Sequence, residues 1–389
     1  MAEVLRHDER VVLVLDAGGT SLRFNAIQGG RALLEAPRTL PSFGDDLERC
    51  LRQIIGGFAD AHAATGRRAV ALSLAFPGPA DYRRGIIGDL PNLPGFRGGV
   101  PLGPMLAARF GLPAFINNDG ALFTYGEALG GLLPVVNDRL AAGGSDRRYR
   151  TLLGFTLGTG FGCGVVIDGR LFIGDNSAAG QIWTLRHRDD RQRVVDDGAS
   201  IRGVRREYAA QAGVPLEQVP EPRLLARIAA GELDGELKGE LKGELDGELK
   251  GELKGDRRAA VAAFRRLGQV AGDAIASALA VIDGLVVLGG GLSGAAELFR
   301  GALLDEVNGT LESWSGPVRR LPFEVLDLDD PAGLDALVAD EVRALAVPGT
   351  GERVAYAPHK RTGIGTTRLG TTAAIALGAY AFALGELGR

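Results

Sequence analysis

Cysteine is almost missing from this chain. Two residues, Cys50 and Cys163, among 389 cannot form a disulfide framework, which fits a reducing compartment, the cytoplasm. Cys163 lies in a glycine-rich strand and reads as a small core residue. Long apolar runs are missing as well. No stretch of 18 apolar residues occurs, so no transmembrane helix is expected. The first ten residues, MAEVLRHDER, are charged and hold no apolar centre, so no secretory signal is expected. A dominant charge is also lacking: 44 Lys and Arg stand against 48 Asp and Glu, a net of −4. That balance gives no support to nucleic-acid or membrane partners. The remaining composition, 46% hydrophobic and 24% charged, is that of an ordinary globule, and the length predicts two domains.

Glycine, in contrast, gathers at three places. In VVLVLDAGGTSLRFNAI, Val11 to Ile27, an apolar strand ends at Asp16. Gly18, Gly19 and Thr20 turn the chain, and a second apolar strand containing Arg23 returns, which reads as a β-hairpin. Glycines let the backbone approach a ligand, and successive N–H groups can ring an anion. Asp16 could hold a hydrated Mg²⁺ beside a phosphate, with Thr20 and Arg23 on phosphate oxygens. A hairpin with no ligand would look similar. The device recurs about 140 residues later: TLLGFTLGTGFGCGVVID, Thr151 to Asp168, turns at Gly158, Thr159 and Gly160. A third cluster, Gly289, Gly290 and Gly291, follows an apolar run and precedes a helical stretch. A strand, Gly-rich loop and helix in that order suit a nucleotide. Between the first two turns, PAFINNDGALFTYGEA reads as a strand ending in Asn117, Asn118 and Asp119, followed by a helix. Asp119 is the candidate base for a hydroxyl, although a residue there also suits a helix cap.

These segments, in this order, resemble the ROK family (repressors, open reading frames, kinases) of sugar kinases. DAGGTSLR is similar to its first phosphate motif, and FPGPADYRRGIIGDLPNLPGF (Phe76 to Phe96) to its sugar-domain segment. NNDGALFTYGEA is similar to the catalytic-Asp segment, GFTLGTGFGCGVVIDGRLFIG to the second phosphate motif, and LVVLGGGLSGA to the adenosine motif. The resemblance implies an α/β fold of the two-domain, actin-like (ribonuclease H-like) ATPase type with an interdomain cleft. It implies residues 1–118 plus a C-terminal helix at about 371–389 in a smaller N-terminal domain, and residues 119–370 in the larger one. ATP and Mg²⁺ would be used to phosphorylate a hexose or hexose derivative, Asp119 acting as general base. Gly78, Asn92, Asn118, Gln181, Thr184 and Asp196 would line the acceptor site. The partners implied are few: a sugar, with a second copy of the chain as a candidate. A non-catalytic sugar-binding or regulatory member is the alternative. With fifteen residues before Asp16, no DNA-binding helix-turn-helix is expected there.

The chain departs from the family on the acceptor side. Where members carry a Glu and, three residues on, a His, this sequence has Gln181 and Thr184, with Trp183 in place of a small glycine. Asp196 and Ser200 keep the spacing of a family Glu and Ser. An altered acceptor pocket is therefore expected, with a weak response to plain glucose. Many members also build a zinc site from a His and clustered cysteines after the second phosphate motif. Residues 178–200 contain no Cys, zinc takes three or four ligands, and His187 reads as a solvated surface residue, so no structural zinc is expected. Glu127 reads as structural. Helices are expected at 45–64, 102–110, 121–129, 201–212, 257–282 and 371–386, and strands at 11–15, 22–27, 69–75, 114–116, 151–156, 162–167 and 284–288. Residues 135–150 read as a surface loop. Residues 231–254 are six tandem GEL(D/K) units, read as a low-complexity surface insert.

Overall fold

The structure, a computed structural model, describes residues 5–90, 93–233, 255–339 and 342–388. The chain opens with the hairpin β1 (Val11–Ala17) and β2 (Ser21–Gln28), extended by β3 (Arg31–Ala32) and β4 (Arg38–Pro41). Helix α1 (Leu47–Ala64) crosses to β5 (Ala69–Ala75). A short pair, β6 (Ala80–Asp81) and β7 (Ile86–Ile87), and helix α2 (Leu102–Phe110) lead to β8 (Ala114–Asn117). Helices α3 (Asp119–Gly130) and α4 (Leu132–Ala142) precede a second hairpin, β9 (Thr151–Leu157) and β10 (Phe161–Ile167), with β11 (Arg170–Leu171). Then come α5 (Ile201–Ala212), α6 (Pro222–Ala230), α7 (Arg257–Val281), β12 (Leu285–Gly289) and α8 (Ala296–Val307). The last part holds β13 (Thr310–Ser313), β14 (Gly316–Arg319), β15 (Glu324–Asp327), α9 (Pro331–Val338), β16 (Arg343–Ala346), β17 (Arg353–Tyr356), β18 (Arg361–Thr366) and α10 (Thr371–Leu387).

Two sheets follow one plan. The first runs β3-β2-β1-β5-β8, with β4 also on β2; the second runs β11-β10-β9-β12-β18-β15. In each, an antiparallel hairpin sits beside parallel strands: β1 pairs in parallel with β5, and β9 with β12. Helices cover parallel strands on both faces, so β1 and β12 are apolar without alternation. Parallel pairing also brings strand ends together. Asp16 lies opposite Ala75, and Ala75 opposite Asn117. The first glycine turn, the Phe76–Pro79 turn and the Asn118–Asp119 step thus leave from one edge.

Helices α3 and α10 bind the sheets to each other. Gly154 and Gly164 of the second hairpin lie directly against Thr124 of α3, and Gly120 lies against the Cys163 amide. On its other side α3 meets α10 at backbone distance. A Cβ on Gly126 would drive into the Ala374 carbonyl, and one on Gly378 into the Leu122 carbonyl. Helix α10 then covers the first sheet, where the Ser73 hydroxyl donates to the Ala379 carbonyl at 2.7 Å. Glu127, fully buried, accepts from the Leu132 N–H (2.8 Å) and the Leu369 N–H (3.0 Å), and from the Thr367 hydroxyl. It ties the α3–α4 junction to the segment entering α10, a structural role.

One sequence expectation fails here. Residues 135–150 are not one loop, because α4 occupies Leu132–Ala142. Leu132, Val136 and Leu140 repeat at helical spacing and are fully buried. Pro134 falls in the first turn, where its missing N–H costs nothing, and Gly143 ends the helix. Of the GEL(D/K) insert, Gly231 caps α6 in the left-handed region, Glu232 pairs with Arg227 at 3.2 Å, and Leu233 packs on the core. Its remaining units, 234–254, lie outside the described residues. No helix among the described residues is long and apolar enough to cross a membrane.

The α3–α10 contact predicts that Gly378→Ala destabilises the fold by roughly 1–3 kcal/mol, since backbone cannot step aside as a side chain can. Thermal unfolding measures it. A melting temperature equal to that of the parent would mean the helices separate at little cost.

Candidate active site

Asp16 sits near the end of β1, and Gly18, Gly19 and Thr20 form an exposed turn beyond it. The Gly18 N–H donates to the Ser21 carbonyl at 2.9 Å. From outside, Ser42 braces the turn: its hydroxyl donates to the Gly19 carbonyl at 2.6 Å and its N–H to the Thr20 carbonyl at 3.1 Å. Sequence reasoning missed Ser42, whose only signal is a small polar residue next to a strand. Arg23 faces Asp16 across the hairpin, its Nη1 3.6 Å from Oδ2.

At the end of β8, Asn118 caps α3, its Oδ1 accepting from the Ala121 N–H at 3.2 Å. Capping therefore falls to Asn118, and Asp119 is the first helical residue, its Oδ1 accepting from the Gly120 N–H at 2.9 Å. The other end of Asn118 is engaged as well: Nδ2 donates to the Tyr82 hydroxyl at 3.3 Å. Tyr82 donates in turn to the Phe76 carbonyl at 3.1 Å, and Gly78 lies so close to that hydroxyl that a Cβ would strike it. Tyr82, buried at the hub of this turn, was not singled out in the sequence although it lies six residues from Phe76. Asn92 lies outside the described residues.

Electrostatics joins these groups. Burial pushes the Asp16 carboxyl up to about 6; the neighbouring charge of Asp119 adds to the rise, and Arg23 opposes it. Burial also raises the Asp119 carboxyl, opposed by the N–H groups of Gly120 and Asp119 and by the Asn118 side chain. Two partly compensated carboxylates thus influence each other here, an arrangement able to attract a cation or to accept a proton.

The second turn approaches from the other sheet. The Gly158 N–H donates to the Gly160 carbonyl at 3.0 Å, and the Ile201 N–H at the start of α5 donates to the Gly158 carbonyl at 2.8 Å. Thr159 is exposed. Asp196 holds this turn: its Oδ1 accepts from the Phe161 N–H at 2.6 Å, and its Oδ2 lies 2.5 Å from Arg202. Both oxygens are thus engaged within the protein, which departs from the acceptor-side expectation for this residue. The third cluster divides. Gly289 is buried in β12 against the Phe123 ring, so it packs rather than lines a site. Gly290, with φ of +89°, lies against the Leu157 backbone, and its N–H donates to Thr371 Oγ1 at 2.9 Å. Gly291 borders open space, and a Cβ on Gly158 would stand 3.8 Å from its nitrogen.

Beyond β11 the chain folds back, with Gly180 tight against the Cys163 carbonyl. The Trp183 indole donates to Gln181 Oε1 at 2.6 Å, and the Thr184 hydroxyl donates to the Gln181 carbonyl at 2.8 Å. These three residues form one local unit. His187 is not solvated as expected. Its side chain is 13% exposed and rests against Gly198, because residues 185–195 double back onto α7. Among the described residues, no group of three or more His, Cys, Asp or Glu could hold a metal ion.

Twin hairpin-and-parallel sheets, with glycine turns at their carboxyl ends, define an actin-like ATPase fold. The ROK family profile matches residues 12–192. The crystal structure of a glucokinase from Parabacteroides distasonis is 46% identical, with a TM-score of 0.81, and covers 98% of this chain and 99% of that one. The chain belongs to the ROK family. A ROK family glucokinase from Streptomyces griseus, solved with glucose and AMPPNP, shares the fold at 20% identity and a TM-score of 0.57, covering 95% of this chain and 97% of that one. An N-acetyl-D-glucosamine kinase of Vibrio cholerae is 26% identical over 208 residues, 52% of this chain and 63% of that protein. The chain spans about half to under two-thirds of the length of the curated relatives it matches first.

The raised Asp16 carboxyl sets a pH dependence. Its value of about 6 lies above the ordinary 3.8, so the fold favours the protonated form. That stabilisation is present below about pH 4 and is lost as pH rises through 6. Asp16→Asn should therefore raise the melting temperature of the ligand-free protein at pH 8, by at most about 2–3 kcal/mol in stability. The gap should close by about pH 4. A constant difference across that range would count against a desolvated carboxylate.

Proposed function

We propose that this protein is an ATP-dependent carbohydrate kinase in which Asp119 takes the proton of a hexose hydroxyl. As the hydroxyl oxygen forms its bond to the γ-phosphorus, the bond from that phosphorus to ADP breaks. Asp119 itself carries the reading. It is a desolvated carboxylate beside Asp16, at the start of a helix seated on the second hairpin. A raised carboxyl is a better proton acceptor near neutral pH. The relatives named above, glucokinases and an N-acetyl-D-glucosamine kinase, support the class of reaction, and AMPPNP in the Streptomyces griseus enzyme supports ATP as donor.

In this reading Gly18, Gly19 and Thr20 take phosphate from one lobe and Gly158, Thr159 and Gly160 from the other, while Gly290 and Gly291 border the adenosine. The lobes are residues 1–118 with 371–389, and 119–370. Asp16 fits Mg²⁺: it is an under-compensated carboxylate with Arg23 at 3.6 Å, and no multi-residue metal cage stands among the described residues. Such a site suits an ion that keeps its waters and shares phosphate oxygens. When bound, Mg²⁺ neutralises charge on the phosphates. Asn118 and Tyr82 hold the peptide on which Asp119 is mounted.

Asp119→Asn is expected to lower kcat by on the order of 10²–10⁴-fold while nucleotide binding persists. Steady-state rates on whichever sugar is active, with calorimetry of ATP binding, decide it; near-parental turnover would end the base assignment. A second reading, a sugar-binding member without turnover, is favoured by Gln181 and Thr184, and ATP consumption that no sugar stimulates would select it.

The acceptor side makes its own prediction. With Gln181 and Trp183 paired, selection near the anomeric end of the sugar should be weak, and a hexose modified there should compete well with glucose. Kinetics of Gln181→Glu with Thr184→His across a sugar panel test this. Strong glucose phosphorylation by the parent, unchanged in the double variant, would show that these positions do not set specificity.

A further inference from the structure

We infer that a lattice of ion pairs behind the acceptor-side loop is a positioning device, with Arg188 at its centre setting where Gln181 and Trp183 stand. Its link to the acceptor rests on the kinase reading; its hold on the loop rests on geometry alone.

No residue from 181 to 194 is buried, so this stretch has little apolar anchorage. Its backbone doubles back: the Val195 N–H donates to the Leu185 carbonyl at 2.7 Å, and the His187 N–H to the Arg193 carbonyl at 2.9 Å. At the bend, charges grip two helices. The Arg188 guanidinium reaches Glu306 of α8, and its Nη1 lies 3.5 Å from the Gln269 carbonyl of α7. Its Nε lies 3.5 Å from Asp189, which pairs with Arg266 of α7 and stands 3.8 Å from His187. The second oxygen of Glu306 meets Arg320 at 2.5 Å, and Arg320 meets Asp273 of α7 at 2.7 Å. Three arginines (188, 266, 320) thus face three carboxylates (189, 273, 306). Arg320 is 9% exposed and Glu306 18%, so the inner pairs are shielded from salt while the outer ones are not. Shared partners make this a network, the form in which ion pairs count most.

Both ends of the gripped segment reach the site. Upstream stand Gln181 and Trp183. Downstream, Asp196 holds the Phe161 N–H beside Gly160. A slack loop would therefore free Gln181 and Trp183 first; the phosphate turn Gly158–Gly160 would stay, because Asp196 keeps its own pair with Arg202, as would Gly18–Thr20 and Gly290–Gly291, which the loop does not touch.

The chain has two tryptophans, and Trp314 is fully exposed, so Trp314→Phe leaves Trp183 as the sole reporter of the loop. In that background Arg188→Met should increase acrylamide quenching of Trp183. It should raise the sugar KM roughly 3- to 10-fold, with kcat and the ATP KM within about two-fold. Arg188→Lys should fall between, keeping one point charge but not the two-partner fork. Raising NaCl from about 0.05 to about 1 M should move the parent toward the variant and leave the variant nearly still. A lower melting temperature with unchanged quenching would overturn the proposal, leaving an ordinary structural staple. Altered quenching with an unchanged sugar KM would overturn the acceptor role. If the parent turns over no sugar, the kinase reading fails, while quenching still decides whether the lattice holds the loop.

Discussion

The backbone contact between α3 and α10 is the constraint on which the rest depends. Gly126 meets the Ala374 carbonyl and Gly378 meets the Leu122 carbonyl, so two helices share a space that side chains would otherwise fill. One of them begins at Asp119; the other begins where Thr371 receives the Gly290 N–H. Their crossing therefore fixes the candidate base against the third glycine cluster. Glu127, with its four donors, locks the peptide that enters α10. A few tenths of an ångström at this crossing would be felt at the site.

The site is built by withholding compensation. Asp16 and Asp119 are desolvated next to each other, and Arg23 is the partner that opposes the rise at Asp16. Three polar residues around them are, in contrast, engaged within the protein: Asn118 by Ala121 and Tyr82, Asp196 by Phe161 and Arg202, Ser42 by the first turn. The protein uses these hydrogen bonds to hold turns and leaves the charge of Asp16 and Asp119 only partly compensated.

Much of this was legible in the sequence, for particular reasons. Apolar runs closed by a turn former made β1, β5 and α2 legible: β1 ends at the first glycine turn, β5 runs into Pro77 and Gly78, and α2 stops at Gly111. The twin hairpins were legible because both use the same turn chemistry. Helix α4 was not, since Pro134 and the glycines after it read as loop signals while the Leu132, Val136 and Leu140 spacing was passed over. Strand β18 was unread because four of the six residues of RTGIGT are glycine or threonine, and only the second sheet around it makes it a strand. At the site, residue types indicated which groups gather but not what each touches. Nothing local tells that Asn118 rather than Asp119 caps the helix, that Gly289 packs on Phe123, or that Asp196 is fully engaged. The last two depend on partners distant in sequence, Phe123 and Phe161.

The return of α10 to the first sheet also orders events in time. Ser73 waits for Ala379, and Gly29 for the Tyr380 hydroxyl, partners 306 and 351 positions downstream. On the ribosome, β1 and β5 emerge with one apolar face uncovered, and the helix that covers it follows only after the whole second sheet. The second sheet can close around its own sequence-local helices while the first is still incomplete. The first sheet is therefore finished after the second, and the nascent protein carries an open sheet face while the intervening residues are made, a long exposure to off-pathway association.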